Sequence, residues 1–182
     1  FDSTPLSRPD MEQLKNAIRT IPDFPKPGIQ FKDITPLLAD GDRLREAIDH
    51  FKERHLDNGI DVVVGIEARG FIFASALAYA LGAGTCLVRK PGKLPHTVHR
   101  QTYELEYGTD AVEIHSDAFT PGQRILVIDD VLATGGTIAA TIELIRRNFD
   151  VEIVEVDFLI ELAFLNGRAQ LSGVPTHSLI KY

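Results

Sequence analysis

The stretch Val127-Ile128-Asp129-Asp130-Val131-Leu132-Ala133-Thr134-Gly135-Gly136-Thr137 constrains this chain more than any other. An apolar run of strand type delivers two adjacent carboxylates to its end. Small residues and hydroxyls follow, and then the helical pattern from Ile138 to Arg147 begins. A strand-turn-helix unit of this kind belongs to an α/β architecture. The first N–H groups of a helix have no intrahelical partner and attract anions. Gly135 and Gly136 let an anion approach the main chain, and Thr134 and Thr137 add hydroxyls. Asp129 and Asp130 can accept hydrogen bonds from sugar hydroxyls or hold Mg²⁺ through water. Separately, an Asp-Asp pair is often a solvated turn and Gly-Gly a flexible loop; their placement between a strand and a helix argues for one anion- and sugar-binding site. No Walker A ending and no Gly-x-Gly-x-x-Gly after a strand accompanies it.

The rest of the chain alternates in the same way. Asp61–Ile66 reads as a buried strand, Phe71–Leu81 as a helix, Thr85–Val88 as a short strand, Ile125–Ile128 as another, and Ile153–Ile160 and His177–Ile180 as the last two. Strands separated by helices predict a doubly wound, mainly parallel sheet flanked by helices. Ligands of such sheets bind at the carboxyl ends of strands, where Glu67-Ala68-Arg69-Gly70 and Asp129-Asp130 both fall. Before the sheet, Asp10–Thr20 and Asp42–His55 read as helices, with an irregular piece at Phe31–Pro36 between them. Arg89–Gln101 is basic and aperiodic. Tyr103–Tyr107 and Val112–Ile114 form an expected hairpin across Gly108-Thr109-Asp110.

With 182 residues, one domain covering 1–182 is expected. The net charge of −7 argues against a nucleic-acid partner, although a local basic pocket suffices for a small polyanion. A single cysteine, Cys86, excludes an intrachain disulfide and is compatible with a reducing cytoplasm. Phe1–Asp10 has no apolar signal core, and no stretch approaches the roughly 20 apolar residues of a membrane span. The six histidines show no metal-binding pattern, so no zinc site is expected; His96 and His99 lie in the basic stretch as candidates to touch phosphate.

The Val127–Thr137 stretch resembles the ribose-phosphate signature of the type I phosphoribosyltransferases. Pro25-Lys26-Pro27-Gly28-Ile29-Gln30-Phe31-Lys32-Asp33-Ile34-Thr35, Glu67-Ala68-Arg69-Gly70-Phe71, Arg89-Lys90-Pro91-Gly92-Lys93-Leu94-Pro95 and Tyr103-Glu104-Leu105-Glu106-Tyr107-Gly108 narrow the resemblance to the family's adenine branch. Gln30 is a mild departure from that pattern.

The resemblance implies a type I phosphoribosyltransferase fold with an N-terminal hood of about residues 1–40 and a flexible loop. It implies that adenine and 5-phosphoribosyl 1-pyrophosphate give AMP and pyrophosphate, with Mg²⁺ as cofactor and no direct protein ligation of the metal. Asp129, Asp130, Ala133, Thr134, Gly135, Gly136 and Thr137 would hold ribose and its 5-phosphate. Arg69, Arg89, Lys90 and Lys93 would hold the pyrophosphate. Gln30, Phe31, Lys32 and Val131 would bind adenine, the first three largely through main-chain groups. Glu106 would act at the attacking nitrogen, Arg69 would assist, and Glu104 is the neighbouring competitor. Lys93–Tyr107 would be a mobile lid. A homodimer in the cytoplasm is expected, without nucleic acid or membrane. Two alternatives remain at this point: a non-catalytic sensor of phosphoribosyl pyrophosphate, and a transferase for another base.

Overall fold

The structure is a computed structural model, and residues 11–105, 108–171 and 173–182 are described. It divides into two compact units, Phe1–Glu53 and Arg54–Tyr182. In the first, α1 (Met11–Asn16) is followed by β1 (Arg19–Pro22), β2 (Gln30–Asp33), α2 (Thr35–Ala39) and α3 (Gly41–His55), whose last two residues belong to the second unit. The helix expected to reach Thr20 stops at Asn16, because Arg19–Pro22 instead pairs antiparallel with Gln30–Asp33. Tertiary pairing has overridden a helical periodicity that was sound only for its first turns. The piece expected to be irregular, Phe31–Pro36, is β2 and the start of α2; Pro36 is tolerated in the first helical turn, where its missing N–H costs nothing. Asp33 fastens this corner. It accepts the Thr35 N–H at 2.9 Å and the Arg19 guanidinium at 2.6 and 3.0 Å, and these donors hold its carboxyl down at about 2. Leu14, Ile18, Ile34, Leu37, Ala47, Ile48 and Phe51 are buried, while Leu44, expected inward, is half-buried.

The second unit is built on β3 (Val62–Ile66), α4 (Gly70–Leu81), β4 (Gly84–Val88), β5 (Val98–Glu104), β6 (Thr109–His115), β7 (Arg124–Leu132), α5 (Gly136–Asn148), β8 (Glu152–Glu161) and β9 (Thr176–Lys181). Two short 3-10 turns, Ala163–Leu165 and Gly167–Leu171, lie between β8 and β9. The central sheet has five strands in the order β4-β3-β7-β8-β9, all parallel. Its strands bear out the expected α/β reading. Parallel strands covered on both faces read as continuous apolar runs, and β3 is buried at every position. Val64, Ile66, Val127, Val156 and Phe158 belong to one core with Ile138, Leu144 and Ile145 of α5.

Two expectations are corrected here. The basic stretch before Tyr103 is not aperiodic throughout: β5 begins at Val98 and pairs with β6 from Val98↔His115 to Glu104↔Thr109. Its alternating burial was masked by charged residues on the exposed face. The strand carrying the two aspartates does not end at them. β7 continues through Asp129 and Asp130 to Leu132, because β8 offers partners as far as Glu161. Cys86 is half-buried on edge strand β4, and burial pushes its thiol up to about 12. No helix among the described residues is long and apolar enough to cross a membrane.

Candidate functional site

The turn after β7 is shaped by close backbone packing. Gly135 has φ of 87° and stands at the N-cap of α5, where no side chain caps the helix. Gly167, in the second 3-10 turn, approaches so closely that a Cβ on it would run into the Ala133 carbonyl oxygen. A Cβ on Gly135 would run into the carbonyl of Gly167. The approach is braced from behind by Arg168. Its guanidinium donates to both oxygens of Glu161 at 3.0 and 2.5 Å, to the Thr176 carbonyl at 2.7 Å and to Ser178 Oγ at 3.1 Å. Arg168 leads the donors that bring Glu161 down to about 2. The result is a narrow turn from Ala133 to Thr137 that aims the N-terminus of a thirteen-residue helix into a cleft of about 470 Å³. Tyr103, Glu104, Thr134, Gly136, Thr137 and Gln170 line that cleft.

Asp129 and Asp130 precede this turn. Asp129 Oδ1 accepts the Asp130 N–H at 2.9 Å. Gly70 opens α4 beside it: a Cβ at that position would stand 2.7 Å from Asp129 Oδ1 and 3.2 Å from the Ile128 carbonyl oxygen, so a larger residue there would displace the carboxylate. Burial, and then the neighbouring Asp130 charge, push the Asp129 carboxyl upward. Burial also raises Asp130, against the pull of Arg69, whose Nε lies 2.7 Å from Asp130 Oδ2. Two partly desolvated carboxylates side by side resist double ionisation, which sugar hydroxyls or a hydrated cation would relieve.

The four cations singled out in the sequence all meet acids. Glu67, at the end of β3, accepts Arg89 Nε at 3.3 Å and the Lys90 N–H at 3.0 Å, and pairs with Lys93 Nζ. Burial alone would raise Glu67, but Lys93, the Lys90 N–H and Arg89 together bring it down to about 2. Lys90 Nζ pairs with Asp110 and lies 3.0 Å from Tyr103 Oη. Burial opposes its charge, yet Asp110 and Tyr103 leave its pKa above the ordinary lysine value. Arg69 is the residue just before α4, on Asp130.

Of the remaining candidates, Gln30, Phe31 and Lys32 lie on β2 in the first unit. Phe31 is half-buried with the Phe24 ring at its edge, 5.2 Å between centroids. Lys32 Nζ donates to Thr20 Oγ1 at 2.9 Å. Val131 is half-buried near the end of β7. Glu106 and Tyr107 lie outside the described residues. Of the basic-stretch histidines, His96 is 3.8 Å from Asp117, and His99 packs edge-on against Phe149.

Sequence reasoning missed several groups. Glu67 was quoted in its motif without a role, although an acid beside a basic loop at a strand end is a readable signal. Asp110, Gly167 and the Glu161–Arg168 brace carried none. A further cluster joins His55 to residues about a hundred positions away. His55 Nε2 lies 2.7 Å from Asp157 Oδ2, and Asn58 Nδ2 lies 3.0 Å from His55 Nδ1. The ligand-type atoms of His55, Glu155 and Asp157 fall within 4.8 Å of one another, an arrangement the histidine spacing did not suggest. Arg54 already donates to both Glu155 oxygens at 2.7 and 2.6 Å, so the cluster is assembled as an ion-paired clasp between the end of α3 and β8.

Residues 33–163 match the phosphoribosyl transferase domain family. The chain is 57% identical to an adenine phosphoribosyltransferase of Syntrophotalea carbinolica over 172 residues, covering 94% of this chain and all of that one. It is similar to the crystal structure of adenine phosphoribosyltransferase from Rhodothermus marinus, with 53% identity, a TM-score of 0.89, and coverage of 94% and 98% of the two chains. It also resembles the Saccharomyces cerevisiae enzyme complexed with an imino-altritol bisphosphate and adenine, at 40% identity and a TM-score of 0.87 over 93% and 97% of the chains.

Proposed function

The chain belongs to the adenine phosphoribosyltransferases of the phosphoribosyl transferase family, and from that premise we propose that it makes AMP and pyrophosphate from adenine and 5-phosphoribosyl 1-pyrophosphate through the site around β7 and α5. It is a pentosyltransferase of purine salvage. The single observation that carries this reading is the Asp129-Asp130 pair in the last stretch of β7, two residues before its end at Leu132, leading into an uncapped helix N-terminus over a cleft of about 470 Å³.

The 5-phosphate would sit on the turn Ala133, Thr134, Gly135, Gly136 and Thr137, held by main-chain N–H groups and two hydroxyls. Asp129 and Asp130 would accept the ribose hydroxyls. Arg69, Arg89, Lys90 and Lys93 would take the pyrophosphate oxygens, arginine through its planar fork. As the C1–O bond to pyrophosphate breaks, positive character develops at C1, as in glycoside transfer. The adenine nitrogen donates its pair to C1, and its proton leaves to a base. Glu106 is the candidate base, with Arg69 supporting departure of the leaving group.

The adjacent carboxylates of Asp129 and Asp130 fit Mg²⁺, which they would hold through water rather than by direct ligation. When bound, it neutralises charge on the leaving pyrophosphate. Adenine would be read by Phe31 stacking and by main-chain groups of Gln30, Phe31 and Lys32, with Val131 also assigned to the base. The β1–β2 ladder engages one edge of β2, and alternate N–H and C=O groups of an antiparallel strand point to its other edge. A main-chain donor facing the wrong edge of another purine would reject it strongly.

We place the enzyme in the cytoplasm as a homodimer. Exposed apolar side chains on α4 and edge strand β4, Ile72, Tyr79 and Leu87, support self-association, and sedimentation at micromolar concentration tests it. The catalytic reading is tested by pyrophosphate release with Mg²⁺ across a panel of bases. Release with adenine alone is the expected result. Release with none would favour a sensor, and release with hypoxanthine, guanine or orotate would change the substrate.

A further inference from the structure

The contacts from Lys90 through Asp110 and Tyr103 to Thr137 join residues assigned to opposite ends of one donor molecule. Tyr103 Oη lies 3.0 Å from Thr137 Oγ1, 3.0 Å from Lys90 Nζ and 3.1 Å from Asp110 Oδ2. Its ring lies against the phosphate turn: a Cβ on Gly136 would stand 3.6 Å from Tyr103 Cδ2. Asp110 in turn holds the Lys90 ammonium, and Lys90 is the main cause that lowers the Asp110 carboxyl. Both Tyr103 and Asp110 belong to the β5–β6 hairpin, where they are directly paired in the ladder.

These contacts compete with the donor. A phosphate on the turn requires the Thr137 hydroxyl, which Tyr103 engages. A pyrophosphate requires the Lys90 ammonium, which Asp110 engages. If Lys90 turned to a pyrophosphate, Asp110 would be left without its cation near two arriving anions, and like charges at close range repel. The hairpin has a second anchor that no donor contests. Gln101 Nε2 donates to Glu143 at 3.3 Å, and Arg147 donates to Gln101 at 3.2 Å, farther along α5.

We propose that Tyr103 and Asp110 form a latch that docks the hairpin on the phosphate turn by engaging Thr137 and Lys90, and that a phosphorylated sugar pyrophosphate releases it by taking both. The hairpin then stays held to α5 at Gln101. This rests on the donor site proposed above and assigns that site its own internal competitor.

Calorimetry of 5-phosphoribosyl 1-pyrophosphate with Mg²⁺ on the intact enzyme, Tyr103→Phe and Asp110→Asn tests it. Each variant removes one end of the latch, so a folding failure in one leaves the other informative. Each should bind the donor roughly fivefold more tightly, since about one net hydrogen bond no longer has to be broken. Adenine affinity should stay constant. Amides of Val98–Glu104 should exchange faster in the unliganded variants than in the unliganded wild type. General damage to the site would weaken binding instead. Equal or weaker donor binding in the folded variants overturns the latch alone. A wild-type enzyme that binds no donor overturns both the latch and the donor-site reading.

Discussion

The two halves of the proposed donor site are built from different material. The phosphate turn is made of main chain, with Gly135 and Gly167 pressed together and the Glu161–Arg168 pair behind them. The pyrophosphate side is made of long side chains, with Glu67, Lys93, Arg89, Lys90 and Asp110 paired to one another. A backbone cradle is preorganised and loses little entropy when its ligand arrives. A side-chain network must exchange internal partners for the ligand, so its affinity is a difference between two sets of charge-assisted bonds. The first half therefore tolerates almost no change of shape, and the second tolerates substitution and can be tuned.

The sharpest attempt to break this contrast is Gly167→Val. No rotamer relieves a Cβ against the Ala133 carbonyl, so the turn must deform. Steady-state kinetics should show kcat/KM down by about a hundredfold or more, with a lower melting temperature. Near-normal kinetics would show that the cradle is not rigid. Next come Asp129→Asn and Asp130→Asn. Each should weaken donor binding by about tenfold in calorimetry while adenine affinity moves less than about twofold, because in the proposed site the lost charge would face the sugar.

Glu67→Gln probes the side-chain half. Removing the hub should cost about 1 kcal/mol of stability at pH 7 in urea melts. Glu67 lies near 2 in the folded protein, below its ordinary value, so the unfolded chain binds the extra proton in between. Its contribution is fully present above about pH 5 and is lost as pH falls toward 2. The variant should therefore lose less stability than the wild type between pH 6 and pH 3. A steeper loss would contradict the assignment. Asp33 and Glu161, also near 2, keep some acid sensitivity in both proteins. The smallest effect belongs to Arg45→Ala on α3. Its exposed pairing with Asp42 at 2.9 Å should be worth no more than about 0.5 kcal/mol, with kcat and KM unchanged.

What the chain determined without tertiary context is what neighbouring residues decide among themselves. The apolar run into Asp129-Asp130, the small-residue turn and the periodic helix after it are local, so the strand-turn-helix unit and the parallel α/β sheet were readable directly. The cation-rich motif around Arg89, Lys90 and Lys93 was readable as charge, though not as a network. Only the tertiary structure decided which acids those cations meet, because Glu67 and Asp110 approach them through strand pairing rather than spacing. It decided that Arg19–Pro22 would leave a helical pattern for a ladder with β2, and that Val98 would open a strand inside a basic stretch. It brought Gly167 against Gly135, and His55 against Asp157 across 102 positions. Local hydrogen bonding and periodicity are written within a few residues. A contact closed over a long loop exists only when the packing of whole elements offsets its entropy, and no short window of sequence contains that balance.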